Sequence, residues 1–180
     1  MQEMHIYGVS FDLVGKQPIV LLKTADGNKF LPIWIGHPEA AAILMKLQGA
    51  ATPRPMTHDL VTDMLAQLDT SVVRICVTEL RDNTFYASIT LQQDGSEIEI
   101  DSRPSDAIAL AVRAEAPIFA ADRVIEESAI EFEGEEIDQD RLDEEVAKFR
   151  NFLDEVTPDQ FAEEVEETDE PEDEEEEEAD

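Results

Sequence analysis

Runs of β-branched and large apolar residues alternate with turn pairs along the first two thirds of the chain. Ile19-Val20-Leu21-Leu22 and Phe30-Leu31-Pro32-Ile33-Trp34-Ile35 read as strands, with Asp26-Gly27 between them. Such a pair is a strong hairpin signal, because both positions tolerate φ > 0. Gly36-His37-Pro38-Glu39 then opens an alanine-rich helix over 40–47. Pro38 loses nothing in a first turn, where its missing N–H would have no partner, and Glu39 suits the positive helix N-terminus. The plan recurs further on. Residues 72–80 and 85–91 read as strands around Asp82-Asn83, and Asp94-Gly95 precedes a strand over 97–101. Arg103-Pro104-Ser105-Asp106 opens a helix over 107–113. Gly15 to Gly27 and Asn83 to Gly95 both span 12 positions, which predicts an internal duplication of a three-strand-plus-helix unit.

Both alanine-rich helices are apolar nearly all round, the pattern of a buried helix. A third helix is predicted over 57–68, with Thr57 as N-cap. Leu60, Val61, Met64, Leu65 and Leu68 share one face, and Asp59 and Asp63, four apart, project away from it. Trp34 is expected in the core. The fold class is therefore α+β: two similar β-hairpin-rich halves around buried Ala-rich helices. After Val124 the character changes. Residues 126–140 read as an acidic loop, and Leu142, Val146, Phe149, Leu153 and Val156 predict an amphipathic helix over 141–156. Thr157-Pro158-Asp159 is a start signal for one more short helix. Residues 163–180 are nearly all Glu and Asp and are expected to be disordered, since they cannot bury enough apolar area to offset ordering entropy. The predicted organisation is a domain at 1–125, an acidic linker and amphipathic helix at 126–162, and a tail at 163–180.

Charge sharpens this division. The formal net charge is −31, but residues 1–125 carry only −6 and residues 126–180 carry −25. A net negative chain repels nucleic-acid phosphate at long range, while a mildly charged core still permits a local basic or metal-lined site. Cys76 is the single cysteine, so no intramolecular disulfide and no CxxC metal site is expected. The first residues lack a basic region and an apolar stretch, so no signal peptide is expected. No apolar run approaches a membrane span. A reducing cytoplasm is the simplest compartment.

Walker A, HExxH, GxSxG and dinucleotide-binding glycine patterns are absent from the sequence. What stands out is a set of polar residues at helix starts: Glu39, then His58 and Asp59 with Asp63 one turn on, then Asp101, Arg103, Ser105 and Asp106. Should these starts converge, carboxylates with an imidazole suit Mg²⁺ or Mn²⁺, and such ions on phosphate activate water and neutralise a leaving oxygen. Each position is equally an ordinary cap, and Arg103 can simply pair with Asp101 or Asp106. His5 and His37 read as structural or exposed.

Three segments resemble a known family. They are Leu31-Pro32-Ile33-Trp34-Ile35-Gly36 with Glu39-Ala40, then Arg54-Pro55-Met56-Thr57-His58-Asp59-Leu60, then residues 101–111, Asp101-Ser102-Arg103-Pro104-Ser105-Asp106 onward. Together they resemble the bifunctional nucleases, small domains credited with DNase and RNase activity. The likeness runs from about Met4 to Val124, and the tail resembles the acidic extension of some bacterial members. The resemblance implies an α+β domain that self-associates as a homodimer and hydrolyses phosphodiester bonds in nucleic acid. In that reading Asp59, Asp101 and Asp106 hold the metal, with Glu39 and Asp63 in reserve. His58 acts as general acid or base, since imidazole titrates near neutral pH, and Arg103 clamps a phosphate oxygen. The alternative is a non-catalytic interaction or regulatory protein that engages a partner through its amphipathic helix and acidic tail.

Overall fold

The apolar runs become strands wherever a turn residue takes positive φ and lets the chain reverse. In the computed structural model, which describes residues 1–12, 17–27 and 29–131, β1 (Gln2–Asp12), β2 (Gln17–Thr24) and β3 (Lys29–Trp34) form an antiparallel meander. Gly27 turns β2 into β3 at φ 85°. A second meander is formed by β4 (Ser71–Arg81), β5 (Thr84–Gln93) and β6 (Ser96–Ser102). Its turns are the two-residue pairs Asp82-Asn83 (φ 49° and 55°) and Asp94-Gly95 (φ 49° and 80°). Left-handed pairs of this kind match the twist of the flanking strands. Each meander is followed by a buried helix: α1 (His37–Leu47) after the first and α3 (Pro104–Ala114) after the second. Between α1 and β4 lies α2 (Thr57–Gln67), and the described chain closes with β7 (Ile118–Ala120), α4 (Asp122–Ser128) and β8 (Ile130–Glu131).

All eight strands make one sheet in the order β6-β5-β4-β7-β1-β2-β3-β8. The joint is β7, antiparallel to β1 through Gln2 opposite Ala120 and parallel to β4 through Ile75 opposite Ile118. Three residues thus tie the two meanders together. Ala40, Ala107, Ala109 and Ala111 are buried where α1 and α3 pack against each other and the sheet. Their small side chains let these backbones approach closely, and Ile43, Ile75 and Ile108 fill the remaining space.

The structure departs from the sequence reading in several places. Strand β7 was not expected, and β1, which a three-strand first unit requires, had no run of residues assigned to it. Met4 and Val9 of β1 are buried and Ile6 and Phe11 pack partly on the core, but the register shift between Ile6 and Gly8 breaks the alternation that would mark the strand. The acidic stretch read as loop begins as α4 and β8, with Val124 and Ile125 in the core. Met56, not Thr57, is the N-cap of α2. The apolar stripe of that helix divides: Val61 and Leu65 pack on the core, while Leu60, Met64 and Leu68 are exposed. Trp34 lies outside the core, 51% exposed, as the last residue of β3, on the face where Phe30 and Pro32 are still covered. The helix expected over 141–156 and the tail over 163–180 lie outside the described residues. Among the described residues no helix is long and apolar enough to cross a membrane.

Candidate functional site

Three helices place an acid at the same point. Glu39, Asp59 and Asp106 are each the third residue of α1, α2 and α3. There a carboxylate meets the unpartnered N–H groups and the positive end of the helix dipole. Asp59 shows the capping use directly, accepting the Met56 N–H at 3.0 Å. Arg103 is held out of α3 by the following Pro104, which disfavours helical backbone at the preceding residue. At φ −70°, ψ 145° its side chain turns back across the helix start.

The result is a chain of contacts through three helix starts. Arg103 donates from Nε to Asp106 Oδ2 at 2.8 Å and from Nη2 to Asp106 Oδ1 at 3.1 Å. The same Nη2 lies 2.9 Å from Glu39 Oε1. His58 Nε2 lies 3.2 Å from Asp106 Oδ1. Burial pushes the Asp106 carboxyl up, but the Arg103 and His58 hydrogen bonds outweigh it and hold the group below the usual aspartate range. The Asp106 hydrogen bond in turn pushes the Arg103 guanidinium up, so it stays charged. Gly36 makes room for this arrangement: a Cβ there would lie 2.3 Å from the Glu39 Oε2 atom.

Asp59 belongs to a second cluster. Arg113, only 5% exposed, donates to Asp59 Oδ1 at 2.6 Å and to the backbone oxygens of Ala109 and Ala42. It thereby ties α2 to α3 and α1. Burial raises the Asp59 carboxyl, and the Met56 N–H and then Arg113 bring it below its ordinary value. Asp101 stands exposed near the end of β6, opposite Ser88, and Asp63 is exposed on α2. Of the residues singled out from sequence, Glu39, His58, Arg103 and Asp106 therefore come together. Asp59 is drawn aside by Arg113, and Asp101 and Asp63 take part in none of these contacts. Sequence reasoning missed Arg113, whose only signal was a basic residue in the last turn of an apolar helix.

The fit to Mg²⁺ or Mn²⁺ can be judged from these carboxylates. Glu39 and Asp106 face Arg103, and Asp59 faces Arg113, so each is already opposed by a fixed positive charge. Among the described residues no group of three or more His, Cys, Asp or Glu side chains is arranged to hold a metal ion. The arrangement does not fit a preformed cage of oxygen ligands. Arg103 is 65% exposed and lines a groove of about 360 Å³. That groove brings together the end of β3, the tip of the β4–β5 hairpin and the start of α3.

Fold and site together define an α+β domain whose helix starts present an acid–arginine–histidine cluster, with the arginine on the wall of a groove. Residues 20–133 match the family described as Bifunctional nuclease domain, and the chain belongs to that family. It is 38% identical over 164 residues to an uncharacterized protein of Mycobacterium tuberculosis, covering 89% of this chain and 98% of that one. It is also similar to two plant proteins. Bifunctional nuclease 1 of Oryza sativa subsp. japonica is 30% identical over 109 residues, 58% of this chain and 33% of that protein. Bifunctional nuclease 1 of Arabidopsis thaliana is 30% identical over 105 residues, 56% of this chain and 32% of that protein.

The lowered carboxyls make a statement about acid stability. A group whose pKa falls on folding contributes stability above its unfolded value, about 3.9 for aspartate, and that contribution is lost as pH drops through the folded value. Asp59→Asn leaves Arg113 buried without its charge partner. It should cost about 3 kcal/mol at neutral pH, the low end for a broken buried pair because Asp59 is itself 33% exposed. Urea unfolding from neutral pH down to about pH 3 should show this deficit shrinking in acid, where the native protein loses the same contribution. A deficit constant across that range contradicts the assignment.

Proposed function

We propose that this chain is a nuclease that hydrolyses phosphodiester bonds of DNA and RNA at the junction of its three helix starts. The observation that carries the reading is Asp106, which holds an imidazole and a guanidinium on its two oxygens beside a groove. Arg103 meets Glu39 and Asp106 through Nε and Nη2. The guanidinium has two further donors on Nη1, suited to a phosphoryl oxygen. Glu39 holds that side chain against the start of α1. Asp106 fixes the ring of His58, which exchanges the proton as water attacks phosphorus and the P–O bond to the leaving oxygen breaks. The names of the plant relatives support nucleic acid as the substrate.

No step here passes through a metal. Mg²⁺ or Mn²⁺, where cleavage requires it, is proposed to enter with the substrate phosphate rather than into a protein cage. The compartment we assign is the cytoplasm, where Cys76 remains a thiol; burial pushes that thiol up and makes it a poor nucleophile. The full-length protein should cleave single-stranded DNA and RNA, with Mg²⁺, Mn²⁺ and EDTA run in parallel. His58→Ala and Asp106→Asn should each lower the rate about 10²- to 10⁴-fold. Rates unchanged in both variants mean that the activity resides elsewhere.

The dimer expected from the resemblance draws support from the exposed face of α2. Leu60, Met64 and Leu68 recur every four residues and form an apolar strip, an uncommon surface for a lone chain. We assign this strip to self-association as a homodimer. Sedimentation of the full chain should give a dimer, and Leu60→Glu with Met64→Glu should give a folded monomer. A native chain that sediments as a monomer at every concentration removes the assignment.

A further inference from the structure

Trp34 is the only tryptophan of the chain, and it is half exposed at the end of β3. It lines the same groove as Arg103. A ring of this size normally goes to the core or to an interface, yet this one, the last residue of β3, stands open while Phe30 and Pro32 on the same face of the strand are buried. Phe85 adds a second aromatic side chain to the wall, and Asn83 and Thr84 bring hydrogen-bonding groups from the tip of the β4–β5 hairpin. The volume, about 360 Å³, sits at the lower end for a small-molecule site and suits a single nucleotide.

We propose that this groove is a subsite for one unpaired nucleobase of a single-stranded nucleic acid, stacked on the Trp34 indole with an adjoining phosphate held by Arg103. Every base has a π-face, so stacking is tolerant of sequence and of sugar. It therefore serves DNA and RNA alike. In a duplex both faces of a base are covered by its neighbours, and the base reaches such a site only after leaving the stack. The chain is net acidic, so its overall field does not draw in a rigid polyanion. A stacked base with one charge-assisted phosphate contact gives a short single strand a foothold that the overall field does not. The proposal takes its ligand from the nuclease reading but concerns binding rather than cleavage.

The test uses the full-length protein and a nuclease-resistant phosphorothioate oligothymidylate of about eight nucleotides, within the usual footprint of single-strand binders. The single strand should quench the Trp34 emission saturably, and a blunt duplex of the same length should not. By anisotropy of the labelled oligonucleotide, Trp34→Ala should weaken binding about ten-fold and Trp34→Phe should retain most of it. Far-UV circular dichroism shows whether each variant is folded, and the aromatic variant keeps the test meaningful if the alanine one is not. Equal binding by Trp34→Ala, or equal quenching by duplex and single strand, overturns the subsite. Quenching without cleavage of the natural substrate removes the nuclease reading and leaves the subsite. Cleavage with no dependence on Trp34 does the reverse.

Discussion

Asp106 is the constraint on which the site depends. Both of its oxygens hold side chains that originate outside its own helical turns, His58 from α2 and Arg103 from the residue before α3. Through Arg103 the connection continues to Glu39 at the start of α1. This geometry requires three helices to begin at one edge of the molecule, which in turn requires α1 and α3 to pack closely. Buried alanines on both helices allow that approach. Arg113 fixes the remaining freedom by linking the third residue of α2 to the backbone of α1 and α3. Ordinary capping chemistry and a functional cluster are thus not exclusive here. The acids stand at helix starts because helix starts favour them, and the fold brings those starts together.

Much of the frame was legible in the chain itself. Turn pairs able to take positive φ marked the hairpins, alanine-rich segments marked the buried helices, and the helix starts marked Glu39, His58, Arg103 and Asp106. What stayed hidden depends on partners distant in sequence. Strand β7 is three residues long and exists because β1 and β4 lie on either side of it. The Asp59–Arg113 pair joins residues 54 apart, and nothing in either local pattern names the other. Without that pair Asp59 looked like a ligand equal to Asp106. Trp34 looked like core because it closes an apolar run whose other members are buried on both faces of β3, and where that cover ends is set by the neighbouring elements, not by the run.

The electrostatics favour local recognition over long-range attraction. Most of the negative charge lies past residue 125, and the remaining chain is also net acidic. A phosphate therefore meets repulsion until it is within hydrogen-bonding reach of Arg103, whose single positive charge already faces the two carboxylates of Glu39 and Asp106. Such a site gains from a ligand that makes contacts of another kind at the same moment. The groove wall with its exposed indole offers one, and membership of the Bifunctional nuclease domain family gives the polyanion a natural identity.

In the proposed function the Asp106-centred junction presents Arg103 to a phosphate. A crystal structure of the full chain with a phosphorothioate dinucleotide tests it most directly. The phosphorus group should sit in the groove with an oxygen within hydrogen-bonding distance of the Arg103 guanidinium, and Asp106 should still hold His58. A dinucleotide bound away from this groove, with no phosphate oxygen on Nη1 of Arg103, would contradict it.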